Sequence, residues 1–179
     1  MSVLAVVAVR DTSTRMPHKW RADISGAPLL AHVVARLKQS KSVRQVVVAV
    51  PSDKPGEIPQ WAVKNNVPIV YGPENDVVAR MAAAVKRHGK PDDLIFRAMS
   101  DQPFLDWQSL DSAAALMQSR GWDFVLPLAL SEPVYGAALS PWSMRAWSAI
   151  EAESSGEERE HVGLVLRKKL ARFDYGVRD

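Results

Sequence analysis

Apolar and polar positions follow two rhythms along this chain. Residues 3–9, Val-Leu-Ala-Val-Val-Ala-Val, form an unbroken apolar run, the pattern of a strand covered on both faces. It stops at the polar segment Arg10-Asp-Thr-Ser-Thr-Arg15-Met-Pro-His-Lys19. Leu29, Leu30, Val33, Val34 and Leu37 then recur at helical spacing and predict a helix over 28–40, with Pro28 in its first turn. Val46 to Val50 is a second buried strand, ended by Pro51, and Pro59-Gln-Trp61-Ala-Val63 reads as a short helix before a third strand at 67–71. Gly72-Pro73 breaks that strand. A helix follows over 76–87, with Val77, Val78, Met81, Ala84 and Val85 on one face and Gly89 closing it.

The second half continues the alternation. Leu94-Ile95-Phe96 opens a fourth strand that runs into Ser100-Asp101-Gln102-Pro103, and a helix over 107–120 ends at Gly121. Strands are expected at 123–130 and about 134–139, and helices near 141–152 and 157–171. Strands separated by helix-length segments imply right-handed crossovers and a mostly parallel sheet, so the fold class is α/β. The sequence has no internal repeat, low-complexity tract or long linker, and it reads as one domain over 1–179.

Composition narrows the function classes. The length of 179 residues suffices for one cored domain, and 47% hydrophobic with 24% charged residues is ordinary for a soluble globular chain. A net charge of +3 gives no field that argues for nucleic acid. The basic residues Arg167, Lys168, Lys169 and Arg172 read as the cationic last turn of a helix. Absence of cysteine excludes disulfides, thiolate metal sites and a cysteine nucleophile. The apolar start is too short to span a bilayer and lacks signal-peptide flanks, so a cytoplasmic location, or a place in a larger assembly, is expected.

In an open α/β sheet, ligands bind beyond the carboxyl ends of the strands. The first loop delivers Arg15, Lys19, Ser13 and Thr14 there, a set suited to polyphosphate, although a solvated basic loop has the same composition. It is not a P-loop, because the spaced glycines and the Gly-Lys-Ser/Thr ending are missing. Asp101 follows a buried strand and suits either Mg²⁺ held against phosphates or a turn cap. Asp76 reads as a helix cap with Arg80 one turn on, an intrahelical pair. Glu157-Glu-Arg159-Glu-His161 reads as the solvated opening of a helix, with His161 alternatively turned into a cleft. His18, His32 and His88 show no metal-ligand spacing.

These segments together resemble the cytidylyltransferases that activate acidic sugars, whose signature leads from Ala-Arg to Gly-Ser-x-Arg-x-Pro-Gly-Lys. Arg10 to Lys19 resembles that signature, and Gly26-Ala-Pro28-Leu29 its next turn. Gly72 to Arg80 resembles its Gly-x-x-x-Asp-Val-x-x-Arg segment, and Arg97-Ala-Met-Ser-Asp101-Gln-Pro103 its Arg-x-x-x-Asp-x-Pro element. Glu158-Arg-Glu-His161-Val162 is similar to a string in the spore-coat polysaccharide branch, near the acylneuraminate and deoxy-octulosonate enzymes. The resemblance covers nearly the whole chain in order. It implies a single Rossmann-like nucleotide-diphosphosugar-transferase domain that binds CTP and transfers CMP to an acidic sugar or related acceptor. By position, Arg10, Ser13, Thr14, Arg15 and Lys19 would hold the triphosphate and Asp101 would hold Mg²⁺. Asp76 and Arg80 would line the nucleotide end, and Arg159 and His161 the acceptor side.

The departures carry their own expectation. Thr12 and His18 replace the two loop glycines, so side chains should partly fill the phosphate cradle, and Asp11 adds negative charge there. The family's second acidic element, Val-Asp-Thr-Pro-Glu-Asp, is not found; Asp174 and Asp179 are the only late aspartates. The dimerisation arm and sugar pocket are expected to be trimmed. A second class of function therefore stands beside the enzyme: a module of this fold that has kept the architecture and serves a homo-oligomer or larger assembly. Exposed Trp20, Trp107, Trp142 and Trp147 would support it, against ordinary packing of each.

Overall fold

The computed structural model describes residues 1–12, 16–127 and 141–178. Its elements are β1 (Ser2–Ala8), β2 (Asp23–Ile24), β3 (Ala27–Pro28), α1 (Leu29–Gln39), β4 (Val43–Pro51), α2 (Ile58–Lys64) and β5 (Ile69–Gly72). There follow α3 (Val77–His88), β6 (Asp93–Met99), α4 (Trp107–Arg120), β7 (Phe124–Pro127), α5 (Met144–Glu153), α6 (Leu164–Arg167) and β8 (Tyr175–Arg178). The central sheet has the order β5-β4-β1-β6, all parallel. Trp142 extends it: its N–H donates to Ile95 O at 2.8 Å and its carbonyl accepts from Ile95 N at 2.7 Å. Trp142 also bridges to Phe124 of β7, which pairs in parallel with β8.

The continuous apolar run of β1 has the cause its sequence implied. Val3, Ala5 and Val7 face one layer, with Leu30, Val33 and Leu37 of α1, Ile58 of α2 and Leu110 of α4. Leu4 and Val6 face the other, with Met81 of α3, Ile95 of β6 and Trp147 and Ile150 of α5. Side chains alternate across a strand, so burial on both faces needs apolar residues at every position. The cost of a polar residue at any of them keeps the register fixed.

Two expectations are corrected. The single helix over 157–171 is instead a 3-10 turn at Gly156–Arg159, the short α6 and a second 3-10 turn at Leu170–Arg172. Gly163, at φ 94°, breaks it: the left-handed backbone there ends one turn and starts the next. The basic cluster is accordingly no single last turn. Lys168 pairs with Glu158, and Lys169 and Arg172 with Glu153. The tryptophans show ordinary packing, the alternative to the exposure that would have supported an assembly module. Trp20 and Trp147 are buried, at 4% and 1% exposure, and Trp107 and Trp142 are half-buried against the two core layers. β8 had no counterpart among the expected strands. The strand expected at about 134–139, and the end of the one at 123–130, lie outside the described residues.

Candidate active site

Parallel strands β1 and β6 end side by side, Ala8 opposite Met99, and a cleft of about 270 Å³ opens beyond them. Two loops meet there. The first follows β1, and Asp11 holds it together. Its Oδ1 accepts from Trp20 Nε1 at 2.7 Å and lies 2.7 Å from His18 Nδ1, while its carbonyl accepts from His18 N at 3.1 Å. Burial alone would raise the Asp11 carboxyl, but hydrogen bonds from His18 and Trp20 and the charges of His18 and Arg21 outweigh it and hold the group below its ordinary value. The negative charge at Asp11 is thereby turned onto the loop's own side chains. His18 sits at φ 56°, the left-handed conformation that glycine adopts without cost, and its bond to Asp11 helps to offset the strain. Ser13, Thr14 and Arg15 lie outside the described residues.

The loop's return places Lys19 in the cleft. Its Nζ donates to Asp101 Oδ2 at 2.6 Å, joining the first loop to the loop after β6. The other oxygen of Asp101, Oδ1, is buried and has no hydrogen-bond partner. A buried carboxylate oxygen without a partner carries a desolvation cost of about 1–3 kcal/mol or more, so it suits a cation brought by a ligand. No group of three or more His, Cys, Asp or Glu residues among the described residues forms a metal cluster. Asp101 therefore fits a hard divalent ion only where phosphate and water complete the shell, as they do for Mg²⁺.

Arg10, Arg80 and Arg97 bring further positive charge to the cleft, facing Glu74 and Glu160. Arg80 is 2% exposed; its Nη1 donates to the carbonyl oxygens of Pro73 and Glu74 and so ties the loop after β5 to α3. Gly72 permits that approach, since a Cβ there would fall 2.9 Å from Arg80 Cγ and 3.2 Å from its Cα. Burial lowers the Arg80 pKa, and the charges of Arg10 and Arg97 lower it further. Burial lowers that of Arg97 as well, with Glu160 and Asp101 opposing. Arg10 and Glu160 approach to 3.9 Å.

The remaining expected residues divide. Asp76 caps α3 by accepting from Ala79 N at 2.7 Å, as expected, but its second oxygen accepts from Arg159 Nε at 2.5 Å. The intrahelical Asp76–Arg80 pair does not form, because Arg80 turns to main-chain oxygens and Arg159 takes its place. Neither Asp76 nor Arg159 lines the cleft, whereas Arg10, Lys19, Arg80, Asp101 and His161 do. The charged run at 157–161 is not one solvated face. Glu158 points inward, accepting from Ser155 N and Lys168; Arg159 reaches Asp76; Glu160 and His161 face the cleft. Sequence reasoning assigned no role to Arg97. Its signal was an arginine inside the apolar strand Leu94-Ile-Phe-Arg97-Ala-Met99, where a charge needs a reason.

Comparison with known proteins agrees with this architecture. A family model described as cytidylyltransferase matches residues 4–133. The 3-deoxy-manno-octulosonate cytidylyltransferase of Anaeromyxobacter sp. (strain K) is 27% identical over 132 residues, covering 73% of this chain and 54% of that protein. The chain spans about half the length of the curated relatives it matches. The structure of a cytidylyltransferase from Leptospira borgpetersenii serovar Hardjo-bovis (strain JB197) has a TM-score of 0.86 at 23% identity, covering 99% of this chain and 75% of that one. A CMP:2-keto-3-deoxy-manno-octonic acid synthetase complexed with CTP has a TM-score of 0.74 at 13% identity, covering 99% and 89%. At these identities the two structures establish a shared fold.

Proposed function

We propose, for a chain that belongs to the cytidylyltransferase family, that the cleft binds CTP with Mg²⁺ and transfers CMP to an acidic sugar or related acceptor. The observation that carries the reading is the meeting of Lys19 and Asp101 at the exit of β1 and β6, with one buried oxygen of Asp101 unpartnered.

In the proposed reaction an acceptor hydroxyl gives up its proton to water as its oxygen bonds to the α-phosphorus, and the bond from that phosphorus to the β-phosphate oxygen breaks. Pyrophosphate leaves with the bonding pair. The protein's work is electrostatic and positional. Lys19 moves from Asp101 to the phosphates, and Arg10, with Ser13, Thr14 and Arg15 of the same loop, steadies the leaving pyrophosphate. Asp101 would hold Mg²⁺, which supplies positive charge against the phosphate oxygens. His161 faces the acceptor. Arg159 acts through Asp76: their pair pins the turn that carries His161 to the start of α3, so both are positioning residues. Arg80 fixes the loop at Pro73 and Glu74 that forms one wall.

The test is pyrophosphate release with CTP, Mg²⁺ and a panel of acidic sugars. The reading requires CTP to bind and release to depend on both Lys19 and Asp101. Failure of CTP to bind at any Mg²⁺ concentration removes it.

A further inference from the structure

Two buried guanidinium nitrogens in this cleft have no partner. Arg80 Nε and Arg97 Nε are both shielded from solvent and hydrogen-bonded to nothing. A buried charged N–H left unpaired costs more than a neutral one, and native structures rarely leave such groups without a reason. Arg80 has a structural task at its other end, on the carbonyls of Pro73 and Glu74. Arg97 has none: it enters no ion pair among the described residues. Asp101 is engaged by Lys19, and Glu160 lies near Arg10 with over half of its side chain exposed. Both arginines line the same cleft as Arg10. The corner thus holds concentrated positive charge that its acids do not saturate.

We propose that Arg97, with Arg80 and Arg10 in the same cleft, forms an oxyanion-binding corner beside the Lys19–Asp101 mouth, taking a phosphate or carboxylate group of a bound molecule. A guanidinium edge presents parallel N–H donors matched to two oxygens of either group, which an ammonium does not. The identity of the molecule rests on the function proposed above, where two groups qualify: a nucleotide phosphate and the acid of the acceptor. Oxyanion binding itself requires no turnover.

The experiment titrates inorganic phosphate and pyrophosphate into the full chain without metal, by calorimetry, for wild type, Arg97→Met, Arg97→Lys and Arg120→Gln. Arg97→Met should weaken phosphate binding by about tenfold or more, the loss of one charge-assisted pair. Arg97→Lys, which keeps charge and loses Nε, should fall between, and Arg120→Gln on the exposed end of α4 should match wild type. Circular dichroism confirms that each variant is folded; removing a buried charge leaves an apolar side chain in an apolar strand. Phosphate displaced by CMP assigns the corner to the nucleotide. Phosphate retained beside CMP and displaced by a sugar acid assigns it to the acceptor. Equal phosphate affinity in wild type and Arg97→Met, or no phosphate binding by wild type, overturns the proposal. If phosphate binds through Arg97 while CTP with Mg²⁺ does not bind, the corner stands and the nucleotidyl-transfer reading falls.

Discussion

The run at 3–9 and the run at 157–161 are both short, dense and uniform in character, yet one is transparent in sequence and the other is not. Each apolar side chain of β1 meets a helix layer on its own side, and the alternation of a strand dictates which. The charged residues obey no such rule. Glu158 turns inward to Ser155 and Lys168, Arg159 crosses to Asp76 in front of α3, and Glu160 and His161 turn to the cleft. Burial of apolar surface is non-directional and sums over many neighbours, so its pattern survives in the sequence. A charged group is decided by one or two partners whose place in the chain follows no period: Glu158 finds Ser155 and Lys168 nearby, while Asp76 is 83 residues from Arg159.

The comparison predicts a hierarchy of effects. Core truncation should cost most. Leu30→Ala, at a fully buried position against β1, should lower unfolding free energy by about 2–5 kcal/mol in urea titration. A loss well under 1 kcal/mol would show that the layer is loosely packed and the apolar pattern less decisive than argued.

Acid should act next, through carboxylates whose partners lie far off in sequence. Burial alone would raise Asp93, but hydrogen bonds from Arg44, Ser2 and Lys90 N and the Arg44 charge hold it below its ordinary value. Asp111 is depressed against the same opposing burial by Ser40, Ser42 and the main chain of 41–42. A carboxyl whose folded pKa is depressed contributes stability above its unfolded pKa and loses it as pH falls through the folded value. His88, lowered by burial and then by Arg87 and Arg44, has the same sign in a higher window, losing its contribution as pH falls through its lowered folded value. Thermal melts should therefore decline mildly below about pH 6.5 and steeply below about pH 4. The double variant Asp93→Asn, Asp111→Asn should flatten the lower limb and leave the upper one; an unchanged lower limb would place the acid sensitivity elsewhere.

The smallest effect belongs to the part-exposed Asp76–Arg159 pair. Arg159→Met should cost about 1 kcal/mol or less, since Asp76 keeps its cap on α3. Its larger signature should be a raised KM for the acceptor, because the turn carrying His161 loses its tie. Stability and KM both unmoved would detach Asp76–Arg159 from the site.

The same contrast explains what was legible. Apart from the two-residue β2 and β3, which were not expected, the order of strands and helices through α4 followed from apolar period and from Gly-Pro and Gly breaks such as Gly121, which is left-handed at φ 69° as a helix-ending glycine should be. Lys19 and Asp101 were legible as a pair because both lie just beyond apolar strands at one sheet edge. His18, read as a bulky replacement for glycine, does occupy left-handed backbone; what the sequence did not show is that Asp11, which read only as added negative charge, bonds to it there. β8 and the broken helix at 156–172 depended on Gly163 and on pairing with β7, neither of which leaves a periodic trace. Arg97 entered the sequence reading only as the first residue of the Arg-x-x-x-Asp-x-Pro element and acquires meaning beside Arg80 and Arg10 in the cleft.

The central claim is that the mouth formed by Lys19 and Asp101 receives a magnesium-bound nucleoside triphosphate. Its most direct measurement is the affinity of the full chain for CTP with and without Mg²⁺, in wild type and Asp101→Asn. The account predicts that Mg²⁺ tightens CTP binding by at least about tenfold in wild type and leaves Asp101→Asn nearly unchanged. CTP affinity indifferent to Mg²⁺ in wild type, or an equal gain in both proteins, would contradict it.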